Sequence, residues 1–225
     1  MFRLASIAAC FGLLLSVIPA QEKPAAQNFS SGEVIVKFSG KSKGAALAAR
    51  ALSEGDLSDA ELSSYIQSVS SEVGVPLKVT RFGSGGNVIV AVRQPELVAG
   101  LLKRLRDNPS VEDGRVVAEQ NASLASIEVI FKEGSPEADV LVGAAKKGGE
   151  SSTAIQSITE KLEQNCRLPL DARAVSPRQL LLTVDLHRLT VDLAARLSKR
   201  ADVEYAQPNF IRRPTNATSE FQSPT

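Results

Sequence analysis

The chain of 225 residues contains no tryptophan, a single histidine (His187), two cysteines (Cys10 and Cys166) and only 4% aromatic residues. Each shortage excludes something. With one histidine and so little cysteine, no zinc site of the usual His/Cys kind can be assembled. A Ser-His-Asp triad needs a serine in a glycine-flanked elbow and a histidine in a suitable loop, and neither phrase occurs. Asp185 lies two residues from His187 and is expected on the same face of a strand end, but no nucleophile or metal ligand accompanies the pair. Gly83-Ser84-Gly85-Gly86 joins two predicted strands instead of opening a helix, so it is not a phosphate loop. Few aromatics imply aliphatic cores and leave no paired rings for stacking on RNA bases. The expectation is a non-enzymatic protein without metal or cofactor.

Charge of one sign is also missing, with 26 Lys+Arg against 25 Asp+Glu. At the N-terminus, Arg3 precedes an apolar stretch from Leu4 to Ile18, and Ile18-Pro19-Ala20 follows. This pattern reads as a secretory signal cleaved after Ala20, and it is too short to span a bilayer comfortably. Ile7-Ala8-Ala9-Cys10 has the look of a lipoprotein box, yet most of the apolar run lies beyond Cys10. Loss of residues 1–20 removes only Arg3 among the charges and leaves 25 basic and 25 acidic side chains. A neutral mature chain argues against nucleic acid or an anionic membrane as partner. Cys166 then stands alone, which rules out an internal disulfide framework; it is expected as a small apolar side chain near a helix end. The expected location is secreted or periplasmic, and the expected state a monomer.

What the chain does have is repetition. Val36-Lys37-Phe38 returns as Val129-Ile130-Phe131, Val75-Pro76-Leu77 as Leu168-Pro169-Leu170, and the strand beginning at Val88 as one beginning at Leu181, all at an offset of 93. A fixed period of that size means two copies of one small domain, predicted over 32–121 and 124–213. They are preceded by a flexible leader (21–31) and followed by a disordered tail (214–225). In the first copy Glu33 to Phe38 alternates as a strand, followed by a polar, glycine-punctuated loop. Ser58-Asp59-Ala60-Glu61 has the form of a capping box, with Leu62, Ile66, Val69 and Val73 on one helix face ending at Gly74. Leu77 to Phe82 and Val88 to Val92 are strands. Pro95 opens a second helix with Leu97, Leu101, Leu102 and Leu105 inward, and Val111 begins a fourth strand. The second copy repeats this order, with Thr190 expected to cap its second helix. The fold class is therefore α+β: two tandem βαββαβ domains of ferredoxin-like type, each an antiparallel four-stranded sheet with two helices on one face. The other sheet face is left open, and function is to be sought there.

The second copy closes on Val203-Glu204-Tyr205-Ala206-Gln207-Pro208-Asn209-Phe210, and the first opens on Gly32-Glu33-Val34-Ile35-Val36-Lys37-Phe38. Both phrases, in their order and spacing, resemble the ends of subtilisin-like serine protease propeptides, especially the fervidolysin-like kind. The resemblance covers nearly all of the mature chain. It implies that the open sheet face lies on a protease and that the C-terminal segment enters the substrate cleft, extended and product-like. Binding selective for the native protease would also assist its folding. The residues the resemblance assigns to protease binding are Tyr205, Ala206, Gln207, Pro208, Asn209, Phe210, Ile211, Arg212 and Arg213. The first copy departs from the pattern: Asp113-Gly114-Arg115-Val116 is inserted before Ala118-Glu119-Gln120-Asn121, and Gln120 replaces the proline. It is expected to act as a scaffold or second contact surface. No protease domain accompanies the two copies, so the expected function is inhibition or chaperoning of a separate subtilisin-like protease. The alternatives are an envelope or extracellular interaction scaffold, or a truncated protease precursor without activity.

Overall fold

A computed structural model describes residues 29–117, 126–146 and 152–210. In chain order the elements are β1 (Phe29–Phe38), α1 (Lys43–Glu54), α2 (Ala60–Val73), β2 (Leu77–Phe82), a 3-10 turn (Ser84–Gly86), β3 (Asn87–Val92), α3 (Gln94–Arg106) and β4 (Val111–Val117). Then follow β5 (Ser126–Phe131), α4 (Pro136–Lys146), α5 (Ser152–Cys166), β6 (Leu170–Ser176), β7 (Gln179–Val184), α6 (Leu186–Ser198) and β8 (Val203–Phe210). They form two four-stranded antiparallel sheets with six helices, the expected α+β class. The predicted signal and most of the leader lie outside the described residues, but Phe29 to Ser31, assigned to the leader from sequence, belong to β1.

The strand order departs from a simple tandem. One sheet runs β2-β3-β1-β8 and the other β4-β5-β7-β6. Each repeat thus gives its closing strand to the other repeat's sheet. The preceding helix goes with it: α3 packs on β4, β5 and α5, while α6 packs on β8, β1 and α2. The ranges 32–121 and 124–213 accordingly mark sequence repeats, whereas each folded unit draws its last helix and strand from the opposite repeat. The chain crosses over through one extended residue in each copy, Arg93 (φ −81°, ψ 92°) and Asp185 (φ −73°, ψ 91°). The crossings are held alike, by Arg93 N–H to the Pro76 carbonyl at 2.8 Å and Asp185 N–H to the Pro169 carbonyl at 3.0 Å.

Side-chain alternation explains the sheets. Val34, Val36 and Phe38 point into one core with Val88, Val90 and Val92; Ile127, Val129 and Phe131 do the same with Leu180, Leu182 and Val184. Val90 pairs with Val34 and Leu182 with Ile127. The third strand and everything after it are therefore related by an offset of 92, not 93. Matching Val88 to Leu181 slips the strand by one residue and exchanges its two faces; the stretch from the start of β6 to the start of β7 is one residue shorter than that from β2 to β3. Buried side chains form one continuous cluster through both units.

Two helices were not legible. α1 occupies the region expected to be loop: Ser42 caps it, accepting from Ala45 N–H at 3.1 Å, and it buries Leu47, Ala48 and Ala51. At Gly44 the helix approaches so closely that an added Cβ would lie 2.7 Å from a Phe38 ring carbon and 2.8 Å from a Tyr65 ring carbon. The second, α4, inserts Ala138 and Leu141 into the core, with Ser135 Oγ accepting from Ala138 N–H at 3.3 Å. Two expected caps also move. Asp59, not Ser58, caps α2 by accepting from Leu62 N–H at 2.7 Å. Asp185 caps α6 by accepting from Arg188 N–H at 2.9 Å, which places His187 in the first helical turn and not beside Asp185 on a strand. Thr190 lies within α6, fully buried, and accepts from Gly32 N–H at 2.6 Å. Its hydroxyl ties the incoming helix to β1 of the receiving sheet.

Candidate functional site

The residues singled out from sequence lie on β8, which sits at the edge of its sheet against β1. In the ladder Lys37 opposes Tyr205, Ile35 opposes Gln207, Val36 opposes Ala206 and Val34 opposes Pro208, and Phe29 pairs with Phe210. Opposed residues share a face. Ala206 and Pro208 thus turn toward the helices, while Tyr205 and Gln207 stand on the open face with Ile35 and Lys37. Pro208, which has no N–H to donate, is compatible with a strand at the sheet edge.

On the open face the side chains are knitted across all four strands. Tyr205 donates from its hydroxyl to Asn87 Oδ1 at 2.7 Å, reaching over Lys37, whose ammonium lies 6.0 Å from the ring centroid. Lys37 also pairs with Glu204 at 3.0 Å. Asn209 donates to Glu33 at 2.6 Å, and Glu33 receives Arg81 from the far strand at 3.4 Å. Ile35, Ile89 and Ala91 supply the apolar ground between these groups. The surface is ordered, polar at its margins and apolar at its centre, as a docking surface for protein needs.

The second open face has another character. Glu128 pairs with Arg115, Ser126 and Thr183 join hydroxyls at 2.9 Å, and Asp113 and Asp171 stand nearby on the flanking strands. Burial, followed by the nearby Asp185, raises the Asp171 carboxyl above its ordinary range.

The structure brings Tyr205, Ala206, Gln207, Pro208, Asn209 and Phe210 into one strand and leaves Ile211, Arg212 and Arg213 outside the described residues. The residues of the first copy that match the end of the phrase, Ala118 to Asn121, also lie outside them. Asn87 and Glu33, which position Tyr205 and Asn209, were missed because they belong to the first repeat. Only the strand exchange makes them neighbours. Cys166 is buried at the end of α5, and burial pushes its thiol up, as an inert core side chain should be. Among the described residues no group of His, Cys, Asp or Glu is arranged to hold a metal ion, and no helix is long and apolar enough to cross a membrane. Comparison with known proteins found no matching family model, no matching curated protein and no matching solved structure.

Proposed function

We propose that this chain is an exported, non-enzymatic binding protein for a subtilisin-like serine protease, acting as inhibitor or folding chaperone. The observation that supports this reading best is the placement of Tyr205–Phe210. They form an edge strand on an open sheet face, and Ile211-Arg212-Arg213 follow them in sequence. Roles then divide. Residues 205–210 are already paired with β1, so they offer docking surface, and the cleft-entering role is assigned to residues 211–213. Strand-like main-chain pairing would give affinity there and alternate side chains specificity.

The test is inhibition of a panel of subtilisin-like proteases by the chain from Gln21, beside one ending at Phe210. The expected result is inhibition by the longer chain and a loss of about a hundredfold without the tail, equivalent to about 2.8 kcal/mol. No inhibition of any protease, together with no acceleration of protease refolding, would sink the proposal. One observation favours a second reading, an interaction scaffold: the exchange fuses two open sheet faces of different chemistry into one body. Binding to a protease or other protein that survives removal of 211–225 is the result that scaffold reading expects.

A further inference from the structure

Between the two units lies an open surface groove of about 760 Å³ lined by Arg104, Arg167, Arg196, Lys199, Arg200 and Glu72, beside the chain turn at Val73 and Gly74. Its volume falls within the ~300–1,000 Å³ of small-molecule sites. Three helices end here: α2 at Val73, α5 at Cys166 and α6 at Ser198. Cations at helix C-termini are ordinary, and four of the five stand at one: Lys199 is the C-cap of α6, Arg167 directly follows α5, and Arg196 and Arg104 bond terminal carbonyls. Arg196 donates to the Val73 carbonyl at 3.0 Å, and its counterpart Arg104 donates to the Cys166 carbonyl. Each uses one terminal nitrogen and retains further donors. Arg200 is held by Asp202 at 2.9 Å and by Glu72, whose side chain is 59% exposed and can swing away. Arg167 and Lys199 have no side-chain partner among the described residues.

Arg167 carries a second, independent signal. It occupies the left-handed region (φ 54°), the only described residue besides glycine to do so. In the first repeat the corresponding position, just after the helix, is Gly74 with φ 73°. Glycine takes this conformation without strain and arginine does not. A strained cation with no partner among the described residues, lining a cation-rich groove, is the pattern of a functional site.

We propose that this groove binds a small ligand with two linked phosphoryl groups, of pyrophosphate type. Five cations against Glu72 and Asp202 leave a formal side-chain surplus of three, offset in part by the negative ends of the three helices. Two phosphoryl groups at about −1.5 to −2 each are enough to neutralise it. Guanidinium forks, four of them here, suit the planar oxygen pairs of phosphate better than a lone ammonium would. Because the site lies between the units, occupancy couples them, and it does so whether or not the protease reading holds.

Isothermal titration of the chain from Gln21 with inorganic pyrophosphate at low ionic strength tests this. One site is expected, with a Kd on the order of 100 µM, together with a ligand-dependent rise in Tm. Citrate at the same ionic strength is expected to bind at least about tenfold more weakly, since carboxylates on a flexible frame fit the forks less well. The discriminating variant is Arg167→Gly combined with Lys199→Ala. It should keep or raise the Tm of the ligand-free protein while weakening pyrophosphate by about tenfold or more. Absence of pyrophosphate binding, equal binding of citrate, or undiminished affinity in that double variant would each overturn the assignment.

Discussion

Thr190 shows how one hydroxyl can decide which sheet a helix joins. It is fully buried, accepts from Gly32 N–H at 2.6 Å and donates to the Leu186 carbonyl at 2.5 Å. Replacing it with valine keeps the shape and leaves the buried Gly32 amide without a partner, at a cost of about 1–3 kcal/mol. Denaturant unfolding should therefore show a lower midpoint for Thr190→Val and substantial recovery for Thr190→Ser; an unchanged midpoint in the valine variant would refute the tie. From sequence, threonine near a helix start reads as a cap, because capping is what its hydroxyl does most visibly in a one-dimensional pattern. The true cap, Asp185, was legible as an acid before an apolar run, but the strand was expected to continue through it. A second inter-repeat tie is equally hidden: Tyr65 on α2 donates its hydroxyl to Asp202 ahead of β8. Burial first, and that bond second, push the tyrosine up to about 12, and Arg200 holds the Asp202 carboxyl below its usual range.

At the scale of elements, periodicity resolved strands and long amphipathic helices well and short alanine-rich ones poorly. Leu62, Ile66, Val69 and Val73 form a stripe that nothing else imitates, and all four are buried. In α1, Gly44 and a run of alanines gave no such stripe, although Leu47, Ala48 and Ala51 pack inward. The register of the third strand was misjudged because one large apolar residue stands at the centre of each open face: Ile89 and Leu181 are nearly as buried there as their neighbours on the core side. Three apolar residues in a row at the centre, Val88-Ile89-Val90 and Leu180-Leu181-Leu182, blur the alternation that would fix the frame. β8 poses a related problem of boundaries, and its pairing with β1 extends to Phe210. A chain ending at Ala206 loses the pairing of Gln207 and Pro208 and the Asn209–Glu33 bond, whereas one ending at Phe210 keeps them. Calorimetry should show a Tm lowered by about 2–10 °C for the former, and one within about 2 °C of the parent for the latter. Equal Tm values for the two truncated chains would mean that Gln207–Phe210 contribute nothing to the sheet.

For the whole molecule the exchange of α3–β4 for α6–β8 matters most, and no pattern within one repeat could reveal it. Local sequence specifies a strand's faces and ends, but a closing strand fits its own sheet and its repeat's sheet almost equally when the two copies share one plan. What selects the exchanged partner is a set of contacts between the repeats: Thr190 with Gly32, Arg200 with Glu72 and Arg178 with Glu112 at 3.6 Å, all far apart in sequence, and Arg115 with Glu128 across the junction. With strands shared and one continuous core, the two units should unfold together. A more direct consequence concerns the connection 118–125, the covalent link between the repeats. In a simple tandem, cutting it frees two independent domains. Here the fragments on either side each hold half of the other's sheet, so a cut there should leave them bound through two exchanged helix–strand pairs. A specific protease site placed in 118–125 and cleaved completely should give one co-eluting species under native conditions, separating only in denaturant. Two folded species that part on gel filtration without denaturant would show that each repeat closes its own sheet, and would also remove the neighbours Asn87 and Glu33 from Tyr205 and Asn209.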